Sequence, residues 1–451
     1  MDNRIENLLK SMFFTLIPLI LTNSLGILKY ISNTFLVGNL IGEKAISVLS
    51  NTFAITLIFY SIPIAFSIAI SVLISQTYSN KEDDYYIVKS KEIANNGYSF
   101  AIFVGLITAL IIFIFKKYFL IILNTPKEIF VDSEMFLLLF SISLVPNFLQ
   151  RNINEGLRVL GKPNIPLIFT GMNVFFNNII LFILIKYEFR ILSIGLANIL
   201  SDVIILLISL IIIRNNSILK INFNLLYLSS ENFNKFLNIG IPIVFEQIIV
   251  SFVILFETYI SNFAGIIGNS AFGIVGRWEE IFFVFSQSIQ SVIIIFVSRN
   301  YLKNDKNIIN STIKNGFFLM ILPVTIFILL IFVFTHFSCS IFLKNEEIVS
   351  LAVKYFKIAG IAYCIMPLDM IFNGYIIGSG NTKFLFVTNI IACFLEISTV
   401  FILKKYYLNL NSISYNEDLL TILGCGIIIY TLTTLILNAI YFFFKKIDSK
   451  S

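Results

Sequence analysis

The sequence predicts an all-α membrane protein of twelve transmembrane helices. Three observations predict it. Hydrophobic residues make up 57% of the 451 positions and charged residues only 13%, about half the charged share of a soluble domain. Mean hydropathy is +0.90. The apolar residues also gather in runs, several longer than the ~20 residues a helix needs to cross the hydrocarbon core. A chain in lipid must satisfy its own backbone groups, as a helix or a closed barrel, and these runs are too long and too continuous for barrel strands.

Taken in order, the runs predict helices at 12–37, 46–75, 95–116, 130–157, 164–186, 191–213, 240–262, 270–298, 315–336, 347–376, 383–403 and 418–444. The first is long enough to span and stay, so no cleavable signal peptide is expected. The second, fourth, eighth and tenth are long and should tilt or project beyond the bilayer. Basic residues orient the set. One alternating group of connections holds Arg4, Lys10, Lys81, Lys89, Lys91, Arg158, Lys162, Arg214, Lys220 and, at the far end, Lys450. The other holds Lys44, Lys116, Lys117, Lys127, Lys186, Arg190 and Lys344. Over the whole chain the first group is about twice as rich and faces the cytoplasm, with both termini inside. The expected location is therefore the plasma membrane, multi-pass. The net charge of +6 sits mostly in these connections and is no nucleic-acid signal. Cys339, Cys364, Cys393 and Cys425 have no metal spacing and no disulfide framework, and the single His336 falls at a helix end, as an interfacial residue rather than a ligand.

The chain repeats at an offset near 220 residues. Ile17-Pro18 opens a helix that carries Asn33-Thr34, and Ile241-Pro242 opens one that carries Glu257-Thr258 at the same spacing. Ile74-Ser75-Gln76-Thr77-Tyr78 resembles Val297-Ser298-Arg299-Asn300-Tyr301. Leu123-Asn124-Thr125-Pro126 resembles Leu343-Lys344-Asn345-Glu346. Leu160-Gly161-Lys162-Pro163 aligns with Ser379-Gly380-Asn381-Thr382. The expected organisation is a six-helix lobe at 1–213, a cytoplasmic connection at 214–238 and a second six-helix lobe at 239–451. Six helices return the chain to its starting side, so the lobes are related by a pseudo-twofold along the membrane normal. That is the parallel-repeat arrangement of some secondary transporters, with the site between the halves and alternating access by rocking.

At these elements the sequence resembles the multidrug and toxic compound extrusion (MATE) family. The residues that carry the resemblance are Asn33-Thr34-Phe35-Leu36-Val37-Gly38, Leu157-Arg158-Val159-Leu160-Gly161-Lys162, Gly240-Ile241-Pro242 and Gly378-Ser379-Gly380-Asn381-Thr382. It implies an antiporter, and no enzyme, that exports small organic compounds, often cationic, against inward Na⁺ or H⁺. No cofactor is implied beyond Na⁺ as a coupling ion, and the expected state is a monomer in the lipid bilayer. Two departures stand out. The family places Asp where Asn33 stands, and Asp four residues after an Asn; here Asn178 is followed at that spacing by Phe182. The alternative is a lipid-linked oligosaccharide flippase of the related superfamily. Such flippases carry extra helices and a strongly basic cavity, so twelve helices and a wealth of acids favour the exporter. No Gly-x-x-x-x-Gly-Lys nucleotide loop is present.

An ionisable side chain at the bilayer centre costs roughly 3 kcal/mol, so each needs a reason. Glu246 and Glu257 lie eleven residues apart and share one face of the seventh helix. Lys29 either snorkels to the interface or pairs with Glu257 across the cleft. Asp202 either substitutes for the missing acids, binding a cation with Asn33 and Asn178, or faces a water-filled crevice. Asp369 precedes the Gly378-Ser379-Gly380 turn inside the tenth helix. These seven residues, Glu257, Glu246, Lys29, Asn33, Asn178, Asp202 and Asp369, are the candidates for cation coupling or substrate binding. Arg277 and Glu280 have the i,i+3 spacing of a local ion pair, Glu279 stands beside them, and Glu396 stands alone as an acid bonded to a neighbouring helix.

Overall fold

A computed structural model describes residues 2–78, 84–123, 125–303, 305–341, 345–407 and 415–448. Lys81, Asn124, Leu343, Lys344 and Lys450, used above, lie outside the described residues. The helices are α1 (Asp2–Leu40), α2 (Glu43–Tyr78), α3 (Asp84–Ile122), α4 (Lys127–Val159), α5 (Asn164–Lys186), α6 (Leu192–Ile213), α7 (Ser230–Ser261), α8 (Gly265–Tyr301), α9 (Lys306–Ile328), α10 (Thr335–Ser340), α11 (Glu346–Gly378), α12 (Lys383–Tyr407) and α13 (Tyr415–Asp448). All but the short α10 are long and apolar enough to cross a membrane, giving twelve spans among the described residues.

Several helices outrun the apolar segments that mark them. α1 begins at Asp2 rather than 12, and α3 at Asp84 rather than 95. Hydropathy reports what lies in lipid, while a helix, whose backbone bonds are internal, can continue into water. The ninth span departs the other way. A π-turn at Leu329–Val333 interrupts it, with the Phe334 amide donating to the Leu329 carbonyl at 2.9 Å, and α10 follows.

The chain divides into two compact units. One is Ile17–Val244 with Ser298–Lys303, and the other is Met1–Leu16, Phe245–Val297 and Asn304–Ser451. In the first unit α4 packs against α2, α3 and α6. Gly195 permits the α4–α6 approach, since a Cβ there would lie 2.5 Å from the Cβ of Leu139. The connection after α6 is tied to α3 by side-chain amides. Asn95 accepts from the Asn222 amide at 2.8 Å, Asn96 accepts from the Ser229 amide at 3.0 Å, and Tyr98 donates to the Leu219 carbonyl at 3.0 Å. In the second unit α11 supplies the centre of the core, with Tyr355, Phe356 and Tyr363 buried beside Phe282 and Phe327.

The internal repeat has a structural signature. α4 ends at Gly161 (φ +77°) and α11 ends at Gly380 (φ +81°). In each, the residue after the glycine closes a six-residue hydrogen-bonded loop, Lys162 to the Leu157 carbonyl at 2.9 Å and Asn381 to the Ile376 carbonyl at 3.1 Å. A left-handed residue in this cap favours glycine. Pro146 in α4 and Pro367 in α11 occupy corresponding helices as well.

Candidate functional site

Five carboxyl groups of the second unit, Glu246, Glu257, Glu279, Asp369 and Glu396, are buried or half-buried within its transmembrane helices, and none of these five is in an ion pair among the described residues. They form two groups. In one, Glu246 (α7) accepts from Asn373 Nδ2 at 2.9 Å, and Asn373 in turn accepts from Gln290 Nε2 at 2.7 Å. Asp369, one turn earlier in α11, accepts from Asn438 Nδ2 of α13 at 2.8 Å. Both acids are buried, yet Glu246 Oε2 has no partner among the described residues.

The other group is Glu257 (α7), Glu396 (α12) and Glu279 (α8). Glu396 is fully buried and neither of its oxygens meets a protein donor among the described residues. Its neighbour is the Glu257 carboxyl, close enough for the two charges to act on each other. Two carboxylates side by side repel, so a proton or a cation placed between them relieves the pair. Glu279 accepts from the Tyr363 hydroxyl at 3.1 Å and lies close enough for its charge to act on Glu257. Gly426 of α13 makes room for this arrangement, since a Cβ there would sit 3.3 Å from Glu396 Cγ. Among the described residues no three acid, imidazole or thiol groups converge as metal ligands would.

The first unit is chemically different. Lys29 Nζ donates to Asn173 Oδ1 at 2.7 Å and lies 3.9 Å from Asp202 Oδ1, to which Asn173 Nδ2 also donates at 2.9 Å. Arg151 of α4 donates from Nε to Asn147 Oδ1 at 3.1 Å, and Asn147 donates to the Tyr60 hydroxyl at 3.2 Å. A cavity of about 250 Å³ is lined by Tyr60, Phe53, Phe136, Phe140, Asn33 and Asn198, among others. Asn33 Oδ1 is buried without a partner among the described residues.

Three sequence expectations change here. Lys29 meets Asn173 and Asp202 inside its own unit, a third course beside the two expected, snorkelling to the interface or pairing with Glu257. The amide that serves Asp202 belongs to Asn173, not Asn178; Asn178 accepts from Ser32 at 3.0 Å, because the two amides point from different faces of α5. Glu246 and Glu257, expected as one stripe, belong to separate groups facing different helices. Arg277 and Glu280 do form a local ion pair, at 3.1 Å and half exposed. His336 lies exposed, 3.5 Å from Glu346. Burial pushes the Cys339 thiol up to about 11, which keeps it unreactive near neutrality. Sequence reasoning missed Asn173, Asn373, Asn438 and Arg151, and left Glu279 and Glu396 with structural roles.

A family model described as MatE matches residues 18–184 and again 242–402. The chain belongs to the MATE family. The two matches fall on the two halves, so the repeat is the family's own. The MATE chain is similar to the probable multidrug resistance protein YoeA of Bacillus subtilis (strain 168), at 23% identity over 88% of this chain and 87% of that one. It is also similar to the multidrug export protein MepA of Staphylococcus aureus (strain MSSA476), at 22% identity over 88% of each. Among solved structures it is similar to the Vibrio cholerae MATE transporter VcmN in the bent form, with TM-score 0.84, 15% identity and coverage of 96% and 97%. A MATE structure in the bent conformation gives TM-score 0.85 and 13% identity over 99% of each chain. These likenesses give the fold: twelve transmembrane helices in two lobes, in a multi-pass membrane transporter.

Proposed function

We propose that this MATE transporter exports small organic compounds, cationic ones among them, in exchange for protons, by alternating access between the lobes 1–213 and 239–451. The carrying observation is the Glu257–Glu396 pair, two buried carboxyls side by side, with no donor to either oxygen of Glu396 among the described residues; a proton between them relieves their repulsion. A cationic substrate competes for the same negative charge, so proton and drug exclude one another. Glu246 and Asp369, each holding one amide, form a second proton-accepting group along the same unit. On this reading Asp202 is engaged by Lys29 and takes no part in coupling. The transporter sits in the plasma membrane as a monomer, with both termini cytoplasmic.

The test is ethidium transport by purified protein in liposomes, with pH and Na⁺ gradients imposed separately. A pH gradient alone should drive transport, and Glu257→Gln should lower the rate at least about tenfold. Transport that follows only the Na⁺ gradient sinks the proton reading, and transport of no cationic dye under either gradient sinks the exporter.

A further inference from the structure

The polar core of the first unit holds two cations against one acid. Lys29 has its counter-ion in Asp202, with Asn173 bonded to both. Arg151 has none of its own. Its Nε donates to Asn147, and among the described residues that is its single hydrogen bond. Glu155, one turn further along α4, is ion-paired with Arg158. The four terminal N–H donors of the guanidinium are left without a protein acceptor, in a helix that spans lipid, where an unmet charge is costly.

Tyr60 joins this group to the cavity. Its ring centroid lies 5.7 Å from the Arg151 guanidinium, its hydroxyl accepts from Asn147, and it forms part of the cavity wall with Phe53, Phe136 and Phe140. We propose that Arg151 is an anion subsite beside this cavity, which receives the carboxylate or phosphate of an amphoteric solute whose apolar ring body lies against the phenylalanines. The guanidinium suits this role because its planar fork meets two oxygens of one anion at once. This rests on the exporter reading and narrows its substrate class.

Rhodamine 110, which carries a free carboxylate, and rhodamine 123, its methyl ester, share one ring system and test this directly. Binding is measured by fluorescence anisotropy on the full chain in phosphatidylcholine nanodiscs. The wild-type protein should bind rhodamine 110 at least about tenfold more tightly than rhodamine 123, the worth of one charge-assisted pair. Arg151→Gln should bring the ratio close to one, and Arg151→Lys should leave an intermediate preference. Adding phosphatidylglycerol separates two sources of the anion. If it weakens rhodamine 110 binding in the wild type but not in R151Q, a lipid phosphate occupies the subsite; if it changes nothing, the anion comes from the free solute. Equal wild-type affinities overturn the proposal, as does an equal loss of both dyes in R151Q, which marks a structural role. Binding of rhodamine 123 without preference counts against the subsite alone, whereas binding of neither dye counts against the exporter reading too.

Discussion

A lysine inside a transmembrane helix has two ways to avoid an isolated charge. It can run its stem to the interface, or it can find acceptors within the protein. Lys29 takes the second, with its ammonium on Asn173 and its charge against Asp202, 22% and 7% exposed respectively. Removing one member of such a pair strands the other, while removing both removes the need. Lys29→Met and Asp202→Asn should therefore each destabilise by about 2 to 3 kcal/mol. The double variant should lose less than the sum, with a coupling on the order of 1 kcal/mol or more. Thermal melting in detergent measures the cycle. Additive losses would show that the amine and the acid do not rely on one another.

At the scale of the helix, close approach is set by glycine. A Cβ at Gly374 of α11 would lie 2.8 Å from the Gln290 carbonyl oxygen of α8, a backbone atom that cannot rotate away. Gln290 also holds Asn373, which donates to Glu246. Gly374→Ala should thus force the two helices apart, cost about 1 to 3 kcal/mol and lower transport by loosening Glu246. Gly26→Ala is the control. Nothing lies within 4 Å of the added methyl, and helix propensity favours alanine by about 1 kcal/mol. Equal melting shifts in the two variants would count against the packing argument. The helices themselves were legible in the sequence, because lipid leaves the backbone no alternative. So was the capping pair Gly161 and Gly380, because few residues tolerate that conformation. The π-turn at Leu329–Val333 was not, since apolar residues read alike in either helix. In the site, Glu246, Glu257 and Asp369 showed through their cost in lipid. Their partners Asn373 and Asn438 did not, since the facing of two helices is a tertiary fact. Arg151 hid among Asn147, Gln150, Asn152, Asn154 and Glu155, a polar stretch that resembles a solvated helix end but lies within the span of α4.

Across the whole molecule the charges are unevenly shared. The first unit keeps a paired lysine and an arginine with open donors, and the second keeps five buried or half-buried carboxyls, with no ion-pair partner for them among the described residues. Buried acids without counter-ions are poor for stability, so if they carry transport as proposed, stability and transport should come apart on mutation. Glu396 gives the cleanest separation. Both of its oxygens lack a donor among the described residues, and on the proposed reading a proton shared with Glu257 holds the two together. Glu396→Gln supplies an N–H donor at the same place and nearly the same volume, so Glu257 gains a permanent hydrogen bond. Such a bond to a charged group is worth about 1.5 to 3 kcal/mol. The variant should melt at a higher temperature than the wild type and lose pH-driven ethidium transport by at least about tenfold. If it melts lower and still couples to protons, Glu396 is a structural acid, and the proton must be carried by Glu246 and Asp369.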